Sequence, residues 1–271
     1  MSYYKALNLE KEPFSTSPDP VFFYRSQSHD SALKRLEIAI RLRRGLSVVL
    51  GDVGTGKTTL SRTLVQAFEG ESDFIFHMIL DPNYKTEFQF LASLIKMFGK
   101  KPEFRSTLDY KDAIEKYLFQ KGIDENKTIV LLIDEGQKLN ANHLELLRIL
   151  LNYETNEYKL LQLVILSQTE LLPRLRKIKN FMDRIALKYI INPLDEAETK
   201  ELVIFRLRQA GYNGPEPLFT DESIKLIYEH TQGYPRRISI LCHDCLEMLI
   251  MKEGSSVGRE LVSEIIEHEV K

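Results

Sequence analysis

One stretch constrains the fold more than any other: Ser47-Val48-Val49-Leu50-Gly51-Asp52-Val53-Gly54-Thr55-Gly56-Lys57-Thr58-Thr59. A short apolar, β-branched run ends at Gly51 and a glycine-bearing loop follows. Lys57 then opens a segment in which Leu60, Leu64 and Phe68 recur at helical spacing. This is the phosphate-binding loop G-x-x-x-x-G-K-[ST], in the strand–loop–helix setting that the motif requires. Gly51, Gly54 and Gly56 let the backbone turn tightly and aim its N–H groups at an anion. The helix start adds partial positive charge at the same point. The binding segment is therefore Gly51, Asp52, Val53, Gly54, Thr55, Gly56, Lys57, Thr58 and Thr59. Within it, Lys57 pairs the outer phosphates and the Thr58 hydroxyl holds Mg²⁺.

A second landmark is Thr128-Ile129-Val130-Leu131-Leu132-Ile133-Asp134-Glu135. An unbroken aliphatic run ending in two carboxylates predicts a buried strand with acids at its C-terminal tip. Ligands of open α/β sheets bind outside those tips. Asp134 is the candidate Mg²⁺ ligand, and Glu135 the group that polarises an attacking water. Leu161–Leu166 predicts another buried strand, ending in Ser167-Gln168. Gln168 either orients that water or is a simple turn residue.

The remaining strands and helices follow from periodicity. The spacing predicts helices over about Asp30–Arg43, Glu87–Phe98, Leu108–Gln120 and His143–Tyr153. Asp73–Leu80 reads as a strand covered on both faces, since apolar residues occupy both of its sides. A basic segment, Arg174, Arg176, Lys177 and Lys179, leads to Arg184, and Lys188–Ile191 reads as a last short strand. After Asn192-Pro193-Leu194 only helical patterns remain: Glu196–Ala210, Asp221–Thr231, Pro235–Lys252 and Arg259–Val270. Asp195 and Thr220 or Asp221 suit N-caps, and Pro235 suits a first helical turn. The expectation is an α/β chain. Residues 1–192 form a three-layer αβα core on a parallel five-stranded sheet, and residues 193–271 form a small all-helical lid.

Composition excludes other classes. In 271 residues, 37 Lys and Arg stand against 39 Asp and Glu, a net charge of −2, so nothing advertises a polyanion partner. No apolar run approaches a membrane span and the start lacks a signal-peptide core, so the cytosol is the expected compartment. The two cysteines, Cys242 and Cys245, lie on one apolar helical face with Ile238, Leu241, Leu246 and Leu249, and read as core residues rather than ligands. Phe22, Phe23 and Tyr24 follow a proline-rich start and pack either beside a nucleotide base or on the core.

These motifs together resemble the AAA+ ATPases, and within them the ExeA/GspA secretion-ATPase family, to which MshM-like and TniB/TnsC-like proteins are related. The resemblance runs nearly end to end. It rests on Phe14-Ser15 with Pro18-Asp19-Pro20, on Gly51–Thr59, on Leu132-Ile133-Asp134-Glu135-Gly136-Gln137 and on Leu147–Thr155. Ser167-Gln168-Thr169-Glu170-Leu171, Arg206-Leu207 with Ala210-Gly211, and Gly233-Tyr234-Pro235-Arg236-Arg237-Ile238 complete it. The family usually has Ala where this chain has Gly136, and Gly-Gln-Pro-Glu where it has Ser167–Glu170. The resemblance implies ATP and ADP as nucleotides and Mg²⁺ as cofactor. It makes Gln168 a sensor 1 residue, Arg236 a sensor 2 residue, and Arg184 an arginine finger acting on a neighbouring subunit. It also implies a homo-oligomer, by family habit a ring of six, and a protein client. ExeA-type proteins continue into a membrane helix and a peptidoglycan-binding domain, neither of which follows here, so any inner-membrane association is expected to run through partners. Three functions are open: an ATPase driving a secretion- or pilus-type envelope machine; an ATP-gated DNA-binding adaptor of the transposition type, which the basic run Arg174–Lys179 would serve; and a nucleotide-binding scaffold that barely hydrolyses, against which Glu135 argues.

Overall fold

A computed structural model of the chain describes residues 3–269. By internal contacts the chain falls into two units. One comprises His29–Val53 and Leu60–Ile191. The other comprises the residues up to Ser28, Gly54–Thr59, and the residues from Asn192 on. The helices, in chain order, are α1 (Tyr3–Ala6), α2 (Gln27–Arg41), α3 (Lys57–Ala67), α4 (Glu87–Met97), α5 (Thr107–Phe119), α6 (Ala141–Leu150), α7 (Leu171–Lys177), α8 (Glu196–Gln209), α9 (Asp221–Thr231), α10 (Pro235–Met251) and α11 (Arg259–Glu269).

The first unit is built on five parallel strands, β1 (Leu46–Leu50), β2 (Phe74–Ile79), β3 (Thr128–Ile133), β4 (Leu161–Ser167) and β5 (Ile185–Ile190). They lie in the order β2-β3-β4-β1-β5. Every residue of β1, β3 and β4 is buried, as aliphatic runs in the middle of a helix-covered parallel sheet should be. One face, with Leu46, Val48, Leu131, Ile133, Leu163 and Ile165, packs on α4, α5, α6 and α7 in a single continuous core. This is the three-layer α/β core expected from the phosphate loop and the buried strands. Side chains set the helix starts. Thr86 caps α4, Ser106 and Asp109 form a reciprocal capping box on α5, and Asn140 caps α6.

Two expectations change. β2 is not covered on both faces. It is an edge strand, and all but Ile79 of its residues are only half-buried. Its aromatic side chains find cover sideways, Phe74 and Phe76 packing on the Phe68 ring at 4.7 and 5.1 Å. The basic segment after β4 is in part a helix, α7, because Leu171 and Leu175, one turn apart, are both fully buried.

In the second unit α8–α11 surround their own core of Leu202, Val203, Ile227, Ile238, Leu241 and Leu246, in which Cys242 and Cys245 are fully buried and not joined in a disulfide. Asp195 with Glu198 forms a capping box on α8, Thr220 caps α9, and Pro235 opens α10. The expected last residue of α11, Val270, lies outside the described residues. The N-terminal segment belongs to this unit. Phe14 enters its core, the Glu10 N–H donates to the Ala210 carbonyl at 2.8 Å, and the Arg206 guanidinium donates to the Ser15 carbonyl at 3.1 Å. Phe22 is buried with Leu9 and Ala210, and the Tyr24 hydroxyl bonds Glu201. Of the two roles open to these aromatics, core packing is the one the structure gives them. Among the described residues, no helix is long and apolar enough to cross a membrane.

One titratable group ties the sheet edge to α5. His77 on β2 packs its ring 4.7 Å from Phe98, and its Nε2 lies 3.1 Å from the Tyr117 hydroxyl. Burial lowers its pKa from 6.5 to about 4. The unfolded chain therefore binds a proton that the folded one refuses between those values, and stability falls as pH drops through that window. Urea midpoints at pH 7 and pH 5 are expected to fall further apart for the native chain than for His77→Phe. An equal acid loss in both would contradict this account.

Candidate functional site

The three fully buried strands are adjacent and parallel, so their C-terminal tips leave the same edge of the sheet side by side: β3 into Asp134-Glu135, β4 into Gln168, and β1 into Gly51. Leu50 is opposite Ser167 and Ile133 is opposite Ile165. Gly51 extends the ladder by one bond, its N–H donating to the Ser167 carbonyl at 3.1 Å. Gly51 does not have a positive φ, contrary to the expectation that all three loop glycines make the turn. That geometry belongs to Gly54 (φ +84°) and Gly56 (φ +91°).

The segment Gly54–Thr59 carries the second half of the loop and the first turn of α3. Thr55 is completely buried, and Lys57, the first residue of α3, is only 7% exposed. A helix N-terminus carries partial positive charge and favours an anion. Two left-handed glycines before a helix start make the backbone concavity that phosphate oxygens fill. The residues present thus fit a nucleoside polyphosphate. Arg236 reaches the same segment. At the start of α10 its backbone N–H donates to the Gly54 carbonyl at 3.2 Å, and its Cβ stands where a Cβ on Gly54 would approach to 3.0 Å. Its side chain is exposed.

At the β3 tip, Asp134 is 2% exposed, and its Oδ1 accepts from the Glu135 N–H at 2.9 Å. A buried carboxylate at a strand tip is a group that suits a divalent cation. Glu135 has a left-handed backbone (φ 54°, ψ 37°), a conformation a non-glycine residue adopts only when its surroundings hold it there. Its Oε2 accepts from the Gln137 side-chain amide at 2.7 Å. Gln137 in turn accepts from the backbone N–H of Gln168 at 3.1 Å. Glu135 and Gln168, expected to serve one water, are therefore brought together through a residue whose role the sequence did not indicate. The only signal for it was an amide side chain two residues past the glutamate in a short turn.

Arg184 is at the other end of the sheet. It immediately precedes Ile185, which pairs with Leu46 at the start of β1, while the phosphate loop leaves the far end of that strand. The separation along β1 is roughly 13 Å at about 3.3 Å per residue. There Arg184 lines a recess with Arg44, Glu154, Lys159 and Asp183.

Gly136 lies directly against β4. A Cβ there would fall 2.5 Å from Ile165 Cγ2 and 3.2 Å from the Leu166 carbonyl oxygen. The glycine thus lets the turn carrying Glu135 sit flush on the neighbouring strand. Gly136→Ala is expected to cost about 1–3 kcal/mol of stability through overpacking, read as a lower urea midpoint. An unchanged midpoint would mean that Ile165 moves aside freely.

Comparison with known proteins gives consistent results. The model of a family described as "AAA domain" matches residues 40–175. The chain is 36% identical over 253 residues to general secretion pathway protein A of Aeromonas hydrophila, an alignment covering 90% of this chain and 44% of that protein. The chain thus spans less than half the length of that relative. Among solved structures it is similar to Drosophila ORC bound to DNA, with a TM-score of 0.73 at 21% identity, covering 100% of this chain and 66% of that one. It is also similar to the Aeropyrum pernix ORC2 protein, with a TM-score of 0.69 at 18% identity, covering 94% and 71%. These two likenesses concern the fold.

Proposed function

The chain belongs to the AAA domain family, and we propose that it binds and hydrolyses ATP to drive assembly or remodelling of a secretion- or pilus-type envelope machine on the cytoplasmic side. The observation that carries the hydrolytic part is the side-by-side exit of β1, β4 and β3 from one sheet edge, which supplies a phosphate loop, an amide and two carboxylates. The similarity to general secretion pathway protein A supports the envelope part.

In this reading the backbone of Gly51–Thr59 and the Lys57 ammonium hold the phosphates. Thr58 and Asp134 would hold Mg²⁺, which when bound neutralises charge on the phosphate oxygens. Glu135 takes the proton from the attacking water as its oxygen bonds the γ-phosphorus and ADP leaves, while Gln168 orients that water. Arg236, fixed by its backbone to Gly54, distinguishes ATP from ADP. Arg184 lies too far along its own strand to serve its own loop, and acts on the nucleotide of the next subunit in a homo-oligomer.

The DNA-adaptor alternative has less support. It would need Arg174, Arg176, Lys177 and Lys179 to help line a DNA-facing surface, yet Arg174 is engaged within the chain, donating to the Gln137 and Leu139 carbonyls at 2.6 and 3.4 Å, and the net charge is −2. Duplex DNA that bound only with ATP in ~0.15 M salt and stimulated turnover would restore it.

Two outcomes test the hydrolytic reading. Lys57→Ala is expected to abolish ATP binding in equilibrium dialysis. Glu135→Gln is expected to keep binding and to lose about 100-fold or more in turnover, the scale of general-base help. Rapid hydrolysis by Glu135→Gln would remove Glu135 from the mechanism. For the oligomer, turnover per subunit is expected to rise with protein concentration and to fall about 10³-fold in Arg184→Ala at unchanged ATP affinity. A concentration-independent rate with an active Arg184→Ala protein would mean that one chain is complete by itself.

A further inference from the structure

We infer that Gln137 is a positioning residue that holds the Glu135 carboxylate in place by bridging the tip of β3 to the tip of β4. The inference rests on Glu135 being the base of an ATPase, as proposed above, and assigns a neighbour to that base.

The geometry is closed on every side. The amide orientation of Gln137 is fixed by its partners rather than by choice. A backbone N–H can only donate, so the atom 3.1 Å from the Gln168 nitrogen must be the amide oxygen, Oε1. The Ser167 hydroxyl lies 3.2 Å from the same oxygen. Nε2 is thereby turned to Glu135, donating to Oε2 at 2.7 Å. One carboxylate oxygen is thus engaged by a neutral donor. Among the described residues no hydrogen bond is given to Oε1, the oxygen that would accept the water proton. The main chain of Gln137 is held as well, its carbonyl accepting from Arg174 Nη1 at 2.6 Å. Gly136 lets the turn lie against Ile165 and Ser167, so that the bridge spans a short gap.

The same network answers a local energetic problem. Glu135 is left-handed, and nothing in its own side chain favours that backbone. Its side chain leaves the strand tip at an angle set by this turn, and without an anchor it samples several rotamers. A single amide bridging adjacent strand tips removes that freedom and registers the carboxylate against Gln168. A general base needs this kind of fixed reach to a water, and small misplacements are expensive. Two charged side chains bond this turn: the Asp134 carboxylate through the Glu135 N–H, and Arg174 on α7 through the Gln137 carbonyl. Lys138 is paired with Asp81 at 3.3 Å. The donor that reaches the Glu135 carboxylate is the neutral Gln137 amide.

Gln137→Glu tests this directly, because it keeps size, shape and the acceptor for the Gln168 N–H while replacing the donor by a second carboxylate. Two carboxylates at hydrogen-bonding distance repel, so the Glu135 side chain loses its anchor. Gln137→Glu is then expected to lower kcat about tenfold or more, with KM for ATP changed less than about twofold. Gln137→Ala is expected to lower kcat about tenfold or more at unchanged KM, with a far-ultraviolet dichroism spectrum like that of the native chain. If the native chain turns over ATP and either Gln137→Glu or Gln137→Ala keeps its kcat, the inference is overturned. If the native chain shows no turnover, the ATPase reading falls first and takes the inference with it.

Discussion

The parallel ladder from β3 through β4 to β1 sets each strand tip beside the next, with Ile133 opposite Ile165 and Leu50 opposite Ser167. This register brings the acids, the amide and the start of the phosphate loop out at one edge. A slip of one residue along β4 would turn Ile165 and Leu163 away from the core and carry Gln168 out of line with Glu135. The register is held by burial, since no residue of these three strands is exposed, and by the final bond from Gly51 to Ser167. The placement of these groups therefore depends on hydrophobic burial in the middle of the sheet more than on any polar contact at its edge.

At the edge itself the polar contacts do something different. They hold a conformation that the chain would otherwise avoid. A left-handed Glu135 costs on the order of 1 kcal/mol or more and persists because its neighbours over-determine it. Gly136 fits against β4, Gln137 bridges to Gln168, and Arg174 holds the carbonyls of Gln137 and Leu139. The turn after β3 is thus fastened at three points to β4 and to the helix that follows it.

Much of this could be read from the residues alone, for a physical reason. The central strands are unbroken aliphatic runs, the phosphate loop has a fixed spacing, and Asp195, Thr220 and Pro235 mark helix starts by local chemistry. What could not be read depends on partners far away in the chain. β2 has the same two-sided apolarity as a central strand, and only its place at the sheet edge leaves Phe74 and Phe76 half-buried against Phe68. Phe14, Phe22 and Tyr24 carry no periodicity, and their neighbours Phe219, Ala210 and Glu201 lie nearly two hundred residues on. Gln137 stood in a recognisable motif, yet its role depends on the backbone of Gln168 across a strand gap. Arg174 looked like part of a basic surface because its carbonyl partners come from an earlier turn.

The central claim is that one edge of this sheet cleaves a phosphoanhydride with the chain's own carboxylate as base. The most direct test is phosphate release in a single turnover, with the protein in excess over γ-labelled ATP and the same mixture run in EDTA. The account predicts complete release of the γ-phosphate in Mg²⁺ and none in EDTA, with ATP remaining bound or free but intact. ATP that stays intact on the protein in Mg²⁺ for many hours would contradict it, and would make the chain a nucleotide-binding switch without hydrolysis.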